Sequence, residues 1–350
     1  MLIFGKYLKE NGYDVTICCR SDNLLFEKAK SENINLFSVD FPRRGKEFKY
    51  AKIIYDYVKQ NRIDIVHTNT NYDRTVGAFA AKLAGAKHVA IVHSFQSISH
   101  NITHYIRNRY FTDRFLSDGE SIRKLLIDKD NINADKISVI HLGIDPNSMK
   151  RDYALREKVR DEFGIDDKTV LFGNTGRYVE FKGHEYLLKA FAKVCKDSDD
   201  VKLMLVGYGD LESNLKLLAT ETGIIDKVIF TGFRDDLQAV YSSFDIYVHS
   251  SIEGGGEAFP FSVLYSLSQG IPAIATDVGD VSTMIENGVS GFSVEDKNPE
   301  ALAEKMLHFL NNRKDIVIFG EKALKNLLNK FSISVMSENI ISVYKSVLKL

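Results

Sequence analysis

Short β-rich runs alternate with amphipathic stretches along almost the whole chain, and this alternation restricts the fold more than any single motif does. In the first half the runs are DVTICCR (14–20), INLFSVD (34–40), DIVHTNT (64–70), HVAIVHS (88–94), RFLSDGE (114–120) and ISVIHLG (137–143). A charged, helix-like stretch, YALREKVRDEFG, separates them from a second series. That series is TVLFGNTG (169–176), VKLMLVGYG (201–209), VIFTGF (228–233), IYVHSS (246–251), PAIATDVG (272–279) and GFSVE (291–295). Strands alternating with helical patterns indicate βαβ units around a parallel sheet. Two such series predict an α/β fold of two doubly wound, Rossmann-like domains. The expected division is 1–150, 151–330 and a C-terminal helix, 331–350, returning to the first domain.

The opening breaks the pattern. A Rossmann-like domain normally begins with a strand, a glycine-rich turn and then a helix. Here LIFGKYLKENGYDVTI reads as the first helix followed by the second strand. The first strand of the N-terminal domain is therefore missing from the pattern, through truncation, a misplaced start codon or divergence.

Composition excludes several functions. Lys plus Arg (46) nearly balances Asp plus Glu (47), so no global basic field exists to hold nucleic acid or an anionic membrane, and any polyanion contact must be local. Cys18, Cys19 and Cys195 show no C-x-x-C spacing, which argues against a zinc site or a disulfide framework. The histidines of HTN, HSF and HLG stand singly with no D-x-D nearby, so no metal is expected. No apolar run approaches the roughly 18 residues that span a bilayer, and no signal-peptide pattern opens the chain. A cytoplasmic location is expected.

Two segments carry chemistry. GRYVEFKG (176–183) directly follows the first strand of the second series. Ligands of open α/β sheets bind at such strand ends, where Arg177 and Lys182 offer two cations to a diphosphate. Solvated surface charges are the plainer reading of an isolated R-x4-K. Further on, SSIEGGGEAFPFSVLYSLSQGIPAIATDVGD (250–280) sets Gly254, Gly255, Gly256 and Glu257 after a strand and before a helix. The glycines allow close backbone approach, and a helix N-terminus favours phosphate. A merely flexible turn is the alternative. VGYGD (206–210) lacks the third glycine of a dinucleotide fingerprint.

These pieces, together with KYLKENGYDVTI, DIVHTNT, HLGIDPNSM, LMLVGYGDLESNL and VIFTGFRDDL, resemble the family 4 retaining glycosyltransferases over nearly the whole chain. The resemblance implies the two-domain GT-B fold and transfer of a sugar from a nucleotide diphosphate sugar to a glycan or lipid-linked acceptor, often in surface polysaccharide synthesis. That donor is a substrate, and no separate cofactor is implied. By position, Arg177 and Lys182 match the pair that neutralises the donor diphosphate, beginning at Gly176. Glu257 matches the first acid of an E-x7-E motif, which contacts the donor sugar. Gly255, Gly256, Ala258, Phe259 and Pro260 fall where the backbone lines the phosphate and sugar pocket. Tyr265 stands where the family has its second acid, which holds the ribose, and a phenol is no bidentate anionic acceptor. Phe233 and Arg234 fall at the nucleobase edge, although a core Phe with a solvated Arg fits them as well. His93, in HSFQ, resembles a histidine near the transferred sugar, or it is a structural hydrogen-bonder.

The stretch PRRGKEFKYAKIIYDYVKQNR (42–62) joins a basic start to an amphipathic helix. It reads as a solvated helix face, or as a peripheral contact with the inner face of a membrane. Two other classes share the fold pattern. One is a catalytically silent partner-binding protein, to which Tyr265 and the missing strand point. The other is a nucleotide-sugar epimerase, which needs a cluster of acids that the glycine segment lacks.

Overall fold

The computed structural model describes residues 1–40, 47–93, 95–98 and 101–350. Contacts divide it into one unit of Met1–Gly143 with Ile333–Leu350 and a second of Ile144–Ser332. All strands of the described residues pair in parallel, and each sequence run coincides with one to within a residue or two at its start.

The first unit holds β1 (Thr16–Cys19), β2 (Asn35–Ser38), β3 (Ile65–Thr68), β4 (Lys87–Val92), β5 (Arg114–Ser117) and β6 (Ile137–Val139). They form two sheets, β1-β2 and β3-β4-β5-β6. The chain enters on the helix Leu2–Glu10, which spans both sheets. Phe4 and Leu8 bury against Val89, Ile91, Leu116 and Ile140, while an added Cβ on Gly5 would lie 3.5 Å from Ile17 of β1. The C-terminal helix Ile333–Leu348 joins the same core through Ile340.

The basic start of the 42–62 segment, 42–46, lies outside the described residues. The helix Glu47–Gln60 that follows turns its apolar side inward, because Ala51 and Val58 are buried and Tyr57 stacks on Phe37 at 4.0 Å. The Tyr57 hydroxyl also bonds Thr16 Oγ1 at 3.1 Å. The apolar face that made this helix a membrane candidate is therefore occupied within its own unit.

The second unit holds β7 (Val170–Thr175), β8 (Val201–Val206), β9 (Val228–Gly232), β10 (Ile246–His249), β11 (Ala273–Thr276) and β12 (Gly291–Val294) in one sheet of order β12-β11-β10-β7-β8-β9. Its strands are apolar on both sides because helices cover both faces. Leu187, Phe191 and Val194 of the helix His184–Asp197 share a core with Phe172, Leu203, Ile246 and Ile274. The chain runs outward from β7 to β9 and then returns to β10, so the topology switches between β7 and β10. Ligands of open α/β sheets lie beyond the carboxyl ends of the strands at such a switch.

Candidate active site

The loops leaving β7 and β10 meet at that switch. After β7, Tyr178 is fully buried and pins its loop to the neighbouring strand: its hydroxyl donates to Leu205 O and its N–H to Tyr208 O, both at 2.9 Å. One short turn later Gly183 adopts φ +63°, and a Cβ there would stand 2.0 Å from Ser250 O just past β10. The Ser250 hydroxyl donates to Lys182 O at 2.9 Å. The chain can press these two loops together only with glycine at 183, and this sets Lys182 over the switch.

There Lys182 Nζ forms an ion pair with Glu257 Oε2, which also accepts from Ser251 Oγ at 3.1 Å. His249 Nε2 lies 4.0 Å from the same oxygen. Burial raises the Glu257 carboxyl pKa, but His249, Lys182 and Ser251 together outweigh it and hold the pKa below its ordinary value. Burial pushes His249 down to about 4. The imidazole is thus neutral at pH 7, where Lys182 and Ser251 keep the carboxylate ionised. His249 Nε2 and both ring nitrogens of His184 are buried without a hydrogen-bond partner. Burial also takes His184 to about 3.

Arg177 projects from the same β7 loop, is exposed and enters no ion pair among the described residues. Gly176 lies against the Lys182 stem, 3.6 Å from an added Cβ. Gly255 serves a purpose other than ligand approach, because a Cβ there would lie 1.9 Å from Phe181 Cβ, so its bareness admits the Phe181 ring. Gly254 and Gly256 carry φ +91° and +85° and shape the turn. Ala258 and Phe259 are buried, with Phe259 5.6 Å from the Phe331 ring, so their side chains face inward. Pro260 then precedes the helix Phe261–Ser268, which has no side-chain cap.

Tyr265 sits half-buried on that helix in an aromatic cluster, edge-on to Tyr241 at 5.7 Å and 6.1 Å from Phe261. Burial raises its pKa. The expectation of a core Phe233 with a solvated Arg234 is reversed. Phe233 is 72% exposed and pairs edge-on with Tyr208 at 6.2 Å. Arg234 is clamped by Glu162 at 2.6 Å and Asp236 at 2.7 Å. These carboxylates occupy most of the guanidinium's donors, so the Phe233 and Tyr208 rings are the free surface at the end of β9.

In the first unit His93 follows β4, and its Nδ1 bonds Asp118 at 2.7 Å. Asp118 is buried at the end of β5, and its carbonyl contacts His141 Nδ1 at 3.1 Å. Among the described residues no group of three or more His, Cys, Asp or Glu is placed to hold a metal ion.

Sequence reasoning missed Ser251, His249, His184, Tyr208 and Asp118. His249 and Ser251 lie within the strand end IYVHSS, and Asp118 in RFLSDGE. A rule that polar residues at adjacent strand ends converge would have found all three. Nothing local marks His184.

Two parallel, doubly wound units, the second with charges converging at its switch point, form a two-domain α/β protein with a candidate ligand site at the strand ends. The profile of the glycosyl transferases group 1 matches residues 156–326, and that of Glycosyltransferase Family 4 matches residues 1–148. This chain belongs to the family 4 glycosyltransferases, of GT-B fold. A Rickettsia africae glycosyltransferase superposes with TM-score 0.88 at 24% identity, over 99% of this chain and 94% of that one. The Anabaena protein HepE, crystallised with UDP, gives TM-score 0.82 at 20% identity over the same shares. The Escherichia coli UDP-Gal:alpha-D-GlcNAc-diphosphoundecaprenol alpha-1,3-galactosyltransferase is 23% identical over 96% of this chain and 90% of its own length. Among the described residues no helix is long and apolar enough to cross a membrane.

Proposed function

We propose that this glycosyltransferase takes its sugar from a nucleoside diphosphate sugar bound by the second unit and passes it to a glycan or lipid-linked acceptor carried by the first. The observation that carries this reading is the Lys182–Glu257 pair at the switch between β7 and β10, with Arg177 unpaired beside it. Two cations at one strand end suit a diphosphate, and they bind it more strongly as charge grows on the leaving phosphate. Glu257, ionised and fixed by Ser251, suits the hydroxyls of the donor sugar. Tyr208 and Phe233 offer a nucleobase an exposed aromatic surface, and Tyr265 offers the ribose one phenolic oxygen. The UDP in HepE and the UDP-Gal in the E. coli enzyme's name agree with such a donor.

Among the described residues no side chain stands out as a nucleophile, and the reading is transfer with retention by attack on the leaving-group face. The acceptor oxygen bonds to the anomeric carbon, the bond from that carbon to the phosphate oxygen breaks, and the acceptor proton passes to the departing phosphate. No metal takes part in this scheme, because Arg177 and Lys182 supply the positive charge. The diphosphoundecaprenol acceptor of the E. coli relative supports a lipid-linked acceptor and a place in surface polysaccharide synthesis. Calorimetry with UDP, followed by transfer assays across a panel of nucleotide sugars, tests the reading. Failure of every nucleoside diphosphate to bind overturns it.

A further inference from the structure

The helix Ile102–Ile106 runs directly into a wider turn, Arg107–Phe111, and the two sides of this segment differ sharply. The inner side is tied down. Arg107, 1% exposed, donates to Thr75 Oγ1 at 2.8 Å and Ile98 O at 2.7 Å, and Phe111 meets Phe79 edge-on at 4.8 Å. The outer side holds large apolar groups in water: Ile102 is 70% exposed, Tyr110 59%, Tyr105 42% and Ile106 37%. Residues 102, 106 and 110 are spaced to share one helix face. Leu83, exposed one turn beyond Phe79 on the neighbouring helix, adds to the apolar surface. Single exposed apolar residues are ordinary, whereas a set held out on an anchored segment marks a contact surface.

Charge indicates what covers it. Between Asn101 and Thr112 the chain has no Asp or Glu. Arg109 lies over the Tyr110 ring at 5.8 Å. Lys136 donates to Arg109 O at 2.8 Å and Thr112 O at 2.9 Å. Burial lowers the Lys136 pKa most, Asp113 opposes this, and the nearby charges of Arg109 and Lys82 lower it further, which places three cations together. Of the neighbouring acids, Asp113 pairs with Lys87 and Asp130 accepts from Ser97 and the Ile98 N–H. Tyr105, Arg109 and Lys136 also rim a cavity of about 300 Å³.

Isoleucines for the acyl boundary, tyrosines for the headgroup level and cations for lipid phosphates are the parts of an interfacial anchor. We propose that this face, 102–110 with Leu83, docks the enzyme on an anionic lipid surface. It gives the proposed lipid-linked acceptor a place to be met, yet it is measured without donor or acceptor.

The chain contains no tryptophan, so Ile106→Trp supplies a single emission probe in the full-length protein. Wild type should co-sediment with phosphatidylglycerol–phosphatidylcholine vesicles, less with phosphatidylcholine alone and less at high salt, and the Ile106→Trp emission should shift to the blue. Ile102→Ser with Ile106→Ser should lower vesicle binding by about tenfold or more. Lys82→Gln with Arg109→Gln should lower binding to the anionic vesicles alone. UDP affinity should hold in every variant, which separates failure here from failure of the donor site. The inference is overturned by equal vesicle binding of the double serine variant, by absence of wild-type binding to both vesicles, or by self-association that needs the isoleucines without any lipid binding.

Discussion

Lys182 and Glu257, 75 residues apart in sequence, form an ion pair across the switch between β7 and β10, with side chains only 18% and 13% exposed. Such a pair is stable while both members stay, and it becomes a liability when one goes. On the proposed reading an incoming diphosphate would compete with Glu257 for the same ammonium, which would make the pair the place where folding and donor binding meet.

Lys182→Ala should therefore cost about 2–4 kcal/mol of stability by stranding the Glu257 carboxylate. Adding Glu257→Gln should restore more than half of the loss. Urea denaturation of the two single variants and the double variant measures the coupling. Additive losses would mean the pair carries no mutual stabilisation.

Arg177 provides the contrast, being exposed and unpaired. Arg177→Ala should leave stability within about 0.5 kcal/mol. It should weaken UDP binding by about 1.5–3 kcal/mol, roughly ten- to a hundredfold, the usual range for a hydrogen bond to a charged group. Calorimetry with an unchanged Kd would remove Arg177 from the donor site.

Tyr265 separates packing from recognition. Tyr265→Phe keeps the ring on Tyr241 and removes one oxygen, so the melting temperature should hold while UDP affinity falls by about 0.5–1.5 kcal/mol. Tyr265→Glu discards the edge-on contact, worth about 0.5–1.5 kcal/mol, and half-buries a new charge, so it should destabilise the protein. Full UDP affinity in Tyr265→Phe would show that the ribose is held elsewhere.

The strand series was legible because parallel strands covered on both faces read as dense apolar runs, and the ligand loops followed from where those runs stop. Lys182 and Glu257 could be named because each lies in the loop that follows a strand. Their pairing could not, since it depends on β10 returning beside β7, and strand order is not written locally. Asp118 was hidden for the same reason: it reaches His93 only because β4 and β5 pair in parallel. Packing also decides what a pattern leaves open: the helix Glu47–Gln60 buries Ala51 and Val58 within its own unit, and in the 102–111 segment, which the sequence reading passed over, buried Arg107 holds Ile102 and Tyr110 out.

Neutral, buried histidines in the second unit set an acid limit. With folded-state values of about 4 for His249 and about 3 for His184 against an ordinary 6.5, the unfolded chain takes up protons below 6.5 that the folded chain refuses. Stability therefore falls as pH falls through this window, by about 1.4 kcal/mol per pH unit for each histidine. Glu257, whose pKa is lowered, adds its own loss only on approaching and passing below its ordinary 4.5. His67 and His88 of the first unit are lowered as well, so the comparison must be with a variant. His249→Gln should remove one histidine's share of the slope between pH 6.5 and 5, read from urea midpoints. An unchanged slope would mean that His249 is not kept neutral by burial.

Asp118 is a positioning residue for His93. Its carboxylate accepts at Nδ1, which leaves Nε2 as the ring nitrogen without a partner among the described residues. Asp118→Asn keeps the shape but replaces an obligate acceptor with a group that also donates, so the ring can settle in the wrong tautomer or turn away. If His93 stands at the transferred sugar, turnover should fall by about tenfold or more in both Asp118→Asn and His93→Ala, while the KM for the donor stays close to that of wild type. The double variant should be little worse than His93→Ala, because Asp118 acts through that ring. If the pair only ties β4 to β5, Asp118→Asn will lower the melting temperature and leave turnover of the folded enzyme untouched.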